Sequence, residues 1–261
     1  MDHIKTAATE LYPLIVVQLS SSSKKYGSRT LEQLDEWRCS ELPSLVKQRH
    51  NDHDTTWLTK DELVLLMDWK LAKGKFRPTL PKLIRSNDPD TVESVTKSGL
   101  LQMVSYLLES DTLNQKEYLQ QVKKSIKIIS QLKGVGPATA SLILSLLVQI
   151  HPKSPPFFSD ESFLYFVEPN DKIKYNIKEY TDMLLPLYFG LIDDDKTPFD
   201  TLEKGAWAIK TYDLKRDFEL ADINYNIENC AKFKPPIDNN KRKSKDTDNN
   251  TQSTTKKRRK G

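Results

Sequence analysis

The chain has 261 residues, of which 37 % are apolar and 29 % charged, enough apolar material for one substantial core or two small ones. No stretch approaches the roughly 20 apolar residues of a membrane span, and "MDHIKTAATELYP" lacks the basic-then-apolar order of a secretory leader. These features exclude a membrane partner and predict an intracellular protein. Cys39 and Cys230 stand far apart with no ligand spacing, which argues against disulfides, zinc and an iron–sulfur cluster, so no metal or other cofactor is expected. The net charge of +4 is uneven: residues 235–261 hold 9 Lys/Arg against 3 Asp, which leaves 31 basic and 33 acidic residues in the body. Any nucleic-acid binding by the body must therefore come from local geometry rather than overall charge.

From the N-terminus the chain reads as helix after helix, and no segment sustains the alternation of a strand, so the class is all-α. Residues 1–56 form a helical extension in which "LSSSSKKYGS" near Ser20 and "HNDHD" at His50 to Asp54 read as polar connections, the two histidines merely solvated. Thr30 with Gln33 and Thr59 with Glu62 fit reciprocal helix caps; Asn114 with Glu117 and Asp200 with Glu203 repeat the spacing. A main domain is expected over 57–234. Its stretch "DWKLAKGKFRPTLPKL", residues 68–83, sets Trp69, Lys70, Lys73, Lys75, Phe76 and Arg77 at a helix end closed by Gly74. Two readings fit: aromatics that stack on a base among cations that hold phosphates, or core aromatics beside cations that match the helix dipole.

From Asn114 the apolar residues Leu119, Val122, Ile126 and Ile129 recur at helical spacing, predicting an amphipathic helix to Leu132 that Gly134 closes. In "LKGVGPATA", Gly134 and Gly136 allow a tight turn, Val135 tucks between helices, and Pro137 suits the first position of the next helix. Such a turn aims free amides at one point and can hold a phosphate, though a plain helix cap and turn would look the same. The following run, Leu142 to Ile150, is apolar on all sides and should cross the middle of a bundle. Next come the proline-rich loop "HPKSPPFF" and Asp160, a residue type that favours the cap of the helix "ESFLYFVE".

The tail from Pro235 has almost nothing to bury and is expected to be disordered. Its basic clusters are Lys241, Arg242, Lys243 and Lys245, then Lys256, Lys257, Arg258, Arg259 and Lys260. Paired clusters of this kind read as a nuclear localisation signal bound by an import receptor; a solvated basic tail that touches phosphates is the other reading.

The string "LKGVGPATA" followed by an apolar helix, a proline-rich loop and Asp160 resembles the helix-hairpin-helix DNA glycosylase superfamily over residues 57 to 210 or so. The resemblance implies a two-lobed helical fold with duplex DNA across the cleft. It implies backbone contacts from Lys133, Gly134, Val135, Gly136 and Thr139, and Asp160 as the carboxylate that stabilises the sugar when a flipped base is cut away. Members that also nick the strand carry a lysine where this chain has Ala138, so the resemblance implies a monofunctional enzyme of base excision repair. Other departures are Lys133 in place of the usual proline and the missing arginine in "DESFLYFVE". They leave open a glycosylase-like module that binds DNA or protein without excising a base.

Overall fold

The first helical stretch runs from α1 (Asp2–Thr6) through a π-helical turn at Ala7–Leu11 into α2 (Tyr12–Ser22). The second repeats the plan with α3 (Leu31–Glu36), a π turn at Trp37–Glu41, and α4 (Leu42–His53). Then come α5 (Lys60–Lys73), α6 (Leu80–Arg85), α7 (Pro89–Glu109) and α8 (Gln115–Ile129). After a glycine turn, α9 (Pro137–Leu144) continues as a 3-10 helix over Ser145–Gln149, and α10 (Asp160–Phe166) follows the proline-rich loop. A π turn at Glu179–Leu184 leads into α11 (Leu185–Leu191), and α12 (Phe199–Lys215) ends the series. This is a computed structural model, and it describes residues 1–22, 29–110, 112–167, 172–191 and 197–226. Among the described residues the regular structure is helical, as the sequence predicts. Both basic clusters of the tail lie outside them.

The local start signals act as expected at Thr30 and Thr59: each hydroxyl accepts from the third helical amide, and Gln33 and Glu62 return a bond to the cap amide. Asn114 caps α8 by accepting from the Glu117 amide at 3.1 Å. Four expectations need correcting. Residues 50–53 are not a loop but the last turn of α4, which stops at Asp54 in the left-handed region, φ 53°. Gly74 does cap α5, yet its φ of −117° is not left-handed. Helix α8 ends at Ile129 rather than Leu132, and Gly134, φ 80°, lies in the turn beyond. Asp200 is not a cap, because α12 already begins at Phe199 after Pro198.

What displaces Asp200 from the cap is a buried charge cluster. Its Oδ1 takes Arg38 of the second π turn at 3.1 Å, its Oδ2 takes Lys204 at 2.9 Å, and Arg38 also donates to Ser145 Oγ at 2.8 Å. Burial alone would raise the Asp200 carboxyl, but the Lys204 and Arg38 cations outweigh it and hold the group well below the usual carboxylate range. The cluster joins the N-terminal stretch, α12 and the 3-10 segment. Close packing does the same nearby: a Cβ at Gly205 would fall inside the Ile4 carbonyl, so α1 rests its backbone directly on α12. Residues from both sides of position 56 thus belong to one apolar core. The N-terminal residues are part of that core rather than an appendage.

The apolar run of α9 crosses this core. Leu142, Ile143, Leu144, Leu146 and Leu147 are fully buried, each contributing roughly 1.5–3 kcal/mol relative to exposure. Val148 and Ile150 are only half-buried, because the backbone tightens to a 3-10 helix at Ser145 and turns the last residues outward. A helix so anchored gives a fixed base for the turn that precedes it.

Candidate functional site

A cavity of about 390 Å³ lies where the end of α5, the glycine turn before α9 and the start of α10 come together. That volume is in the range of a small-molecule or single-group site. Gly134, Gly136 and Thr139 line it from the turn and α9, Asp160 and Glu161 from α10, and Lys70 and Lys73 from α5.

The turn is pinned from behind. Asn87, just past α6, accepts from the Lys133 amide at 2.8 Å and donates to the Lys133 carbonyl at 2.9 Å and the Ile84 carbonyl at 3.0 Å. One amide side chain thereby fixes the path into Gly134. The Val135 amide bonds the Leu132 carbonyl at 3.1 Å, whereas the amides of Gly134 and Gly136 have no partner among the described residues. Both glycines border the cavity.

Ser159 caps α10, its hydroxyl accepting from the Ser162 amide at 3.3 Å, and Asp160 is the first helical residue. The Asp160 carboxylate is therefore not consumed by capping. Its Oδ2 accepts a 2.6 Å hydrogen bond from the Tyr175 hydroxyl. Tyr175 reaches it from a loop with φ 56°, a region uncommon for a residue with a side chain. Glu179 holds that loop: its carboxylate accepts from the Lys174 amide at 3.0 Å and the Asn176 amide at 3.3 Å, while Asn176 Oδ1 accepts from the Glu179 amide at 2.9 Å. Burial, with the bond to Asp160 and that residue's charge, pushes the Tyr175 hydroxyl well up, so it stays a donor. Arg77 lies over the Tyr175 ring, 4.9 Å from its centroid.

Lys70 and Lys73 differ although both face this region. Lys70 Nζ donates to Thr139 Oγ1 at 2.6 Å and lies 5.9 Å from the Phe157 ring centroid. Burial lowers its ammonium to about 8; Asp160 opposes that shift and Arg77 adds to it. Lys73 sits deeper, bonded to the Tyr12 hydroxyl at 2.9 Å and centred 4.0 Å from the Trp207 ring, 4.4 Å from Tyr12 and 4.9 Å from Trp69. Its three aromatic faces hold it as a cation–π pillar. Glu161 is pushed up to about 7 by burial and by the neighbouring Asp160 charge. Ser159, the cap, donates its own proton to Glu203 at 2.5 Å.

These positions sort the residues singled out by the sequence. Asp160, Gly134, Gly136, Lys70, Lys75 and Arg77 meet around one cavity. Trp69 does not line it: the indole is fully buried and donates to Asp35 at 2.8 Å, which fixes it in the core. Phe76 does not line it either and is 56 % exposed. Val135 and Thr139 are buried, with the Thr139 hydroxyl engaged by Lys70 beside the cavity; Lys133 and Gly136 are exposed. Lys73 also lines the cavity, its ammonium caged by Tyr12, Trp69 and Trp207. Tyr175, Glu161 and Asn87 were missed. An adjacent carboxylate pair, "DE" at 160–161, is a signal that could have found Glu161, but nothing local in "SNDPD" or "IKYNI" names a partner for Asn87 or Tyr175. No helix is long and apolar enough to cross a membrane among the described residues. Comparison with protein-family models, curated proteins and solved structures returns no match.

Proposed function

We propose that this chain is a nuclear DNA-binding protein of the helix-hairpin-helix glycosylase type that hydrolyses the bond between a base and its deoxyribose, with Asp160 as the catalytic carboxylate. The observation that carries the reading is the meeting of Asp160 with the unpartnered amides of Gly134 and Gly136 around one cavity. On this reading the glycine turn is the hairpin. Its amides hold a backbone phosphate without side-chain charge, which suits a body with no net positive charge. The extruded nucleotide enters the cavity, as chemistry on a base requires. As the base departs, positive charge grows on the sugar, and the Asp160 carboxylate, oriented by Tyr175, stabilises it while water adds at C1′. The exposed Lys75 and the Arg77 guanidinium lie beside the cavity for flanking phosphates.

The test is Asp160→Asn. Because Ser159 provides the cap, this substitution should leave folding and duplex affinity close to wild type. Wild type is incubated with oligonucleotides carrying deaminated, alkylated, oxidised or mismatched bases, and abasic sites are revealed by hot alkali. Excision by wild type should fall by roughly two to four orders of magnitude in Asp160→Asn, the scale of losing a general catalytic group or a charge stabiliser. Excision that survives the substitution removes Asp160 from the mechanism. Tight binding without excision of any of these bases would favour a protein that reads DNA without cutting it.

A further inference from the structure

We infer that the outward face of α8 is a second contact for the DNA backbone, a basic track that begins at Lys116 and leads towards the glycine turn. The inference rests on the reading above for the partner, duplex DNA, and on α8 itself for the place.

The track follows from the helical repeat. Tyr118, Val122, Ser125, Ile126 and Ile129 are buried and, at about 100° per residue, gather on one side of α8. The opposite side is a single strip of Lys116, Gln120, Lys124, Lys127 and Gln131, all exposed, the last just beyond the helix. Lys133 and Gly136, exposed in the turn that follows, continue it along the chain.

Charge is concentrated on this helix. Over Gln115–Ile129 four lysines meet one acid, Glu117, in a body whose 31 basic and 33 acidic residues leave it slightly negative. The preceding helix is the reverse, since Asp90, Glu93 and Glu109 outnumber Lys97 in α7. In α5 and α12 lysines and acids are mixed. Lys123, off the strip, is paired with Asp182 at 2.8 Å, whereas Lys116, Lys124 and Lys127 make no ion pair among the described residues. Lys124 and Lys127 stand three apart on one face, an arrangement that disfavours the isolated helix and that an anionic partner relieves.

The composition of the strip selects the partner. Lysine and glutamine are side chains that bond phosphate oxygens. Protein interfaces centre on aromatic, Met and Arg side chains and are poor in lysine, and the strip holds none of the former. An open groove of about 570 Å³ lies at its start, lined by Asn114, Gln115, Lys116, Leu119, Gln120 and Lys123, with no acidic side chain on its border. It seats a phosphodiester group beside two ammonium groups. From Lys116 to Lys127 the strip covers about 16 Å, which spans about five phosphates of one strand at roughly 3.4 Å each along the duplex axis. Such contacts set footprint and salt dependence and leave the choice of base to the cavity.

The full chain and the triple variant Lys116→Gln, Lys124→Gln, Lys127→Gln are titrated with one labelled duplex from about 50 to 200 mM salt. Each lysine that neutralises a phosphate adds about 0.9 to the slope of log affinity against log salt, so the variant's slope should be shallower by roughly 2 to 3. The same exchange at Lys47, Lys60 and Lys97, on α4, α5 and α7, removes equal charge elsewhere and should leave the slope close to wild type. All three proteins keep the tail, so its contribution cancels. Independently, acetylation of the wild-type chain, mapped by mass spectrometry, should show Lys116, Lys124 and Lys127 protected by the duplex, which reads the track even if the variant fails to fold. An unchanged slope in the folded strip variant, an equal loss in the second variant, or no protection of the three lysines overturns the track and leaves the role of Asp160 standing. A shallower slope with protection, but without excision of any damaged base, defeats the excision reading alone. A full chain that binds no duplex defeats both.

Discussion

A carboxyl that stays protonated near neutrality makes stability depend on pH, and Glu161 is such a group. Burial first, and the Asp160 charge second, move it from its ordinary 4.5 to about 7. Between those values the folded chain binds more protons than the unfolded one, so Glu161 lowers stability as pH rises through this window. Below 4.5 both states are protonated and the effect is absent. Glu161→Gln keeps the size and removes the titration. The variant should therefore gain thermal stability relative to wild type across pH 4.5 to 7 and hold that gain above it. Melting temperatures measured at half-unit steps check this, and a difference that stays flat with pH would show that Glu161 ionises freely. The same residue scale explains Tyr175: a backbone in the left-handed region is maintained only where the surroundings over-determine it, and here Glu179 and Arg77 do so.

At the scale of elements, the two glycines of the turn have different work. Gly134 has φ 80°, and an added Cβ would lie 3.0 Å from Leu83 Cβ, whereas Gly136 has φ −97° and no atom within 4 Å of the same addition. Gly134→Ala should cost about 1–2 kcal/mol from the backbone alone, with crowding on top. Gly136→Ala should change stability by less than about 0.5 kcal/mol. Denaturant unfolding of both variants decides the matter; equal losses would mean the turn has been misassigned. The contrast also marks how far the sequence could be read. Caps at Thr30, Thr59 and Asn114 were legible because donor and acceptor sit three residues apart. The turn was legible as a turn, but one glycine in the left-handed region and one in extended backbone look alike as letters. Asp200 was misread because its partner Arg38 lies 162 positions away, and long-range ion pairs leave no local spacing. Tyr175 likewise carries no local mark of its bond to Asp160, 15 positions away, and Trp69 and Lys70, neighbours in sequence, go one to the core and one to the cavity only through the way helix α5 packs.

For the molecule as a whole, the Arg38–Asp200–Lys204 cluster is a buried charged joint between elements that share the apolar core. Removing one member strands charge in the interior, at about 3–5 kcal/mol for a typical buried pair. Arg38→Ala should fall at the lower end, since Lys204 still faces Asp200. The double variant Arg38→Ala with Asp200→Ala should lose less than the sum of the two single changes, a coupling that a mutant cycle in urea reads directly. Simple additivity would deny the joint. The tail belongs to this scale too: truncation after Phe233 removes both basic clusters and should move a tagged protein from nucleus towards cytoplasm by microscopy, and unchanged nuclear enrichment would remove the import signal from the proposed function. The seating of α1 on Gly205 has a further consequence, for the order of events on the ribosome. Helix α1 and the π turn after it seat chiefly on α12, the last described helix, so a nascent chain that still lacks Phe199–Lys215 leaves that first stretch without its main support. Stalled chains ending before that helix should be cut readily by protease across residues 1–11, and chains long enough to expose it outside the ribosomal tunnel should resist; for this first stretch translation and folding would thus finish almost together.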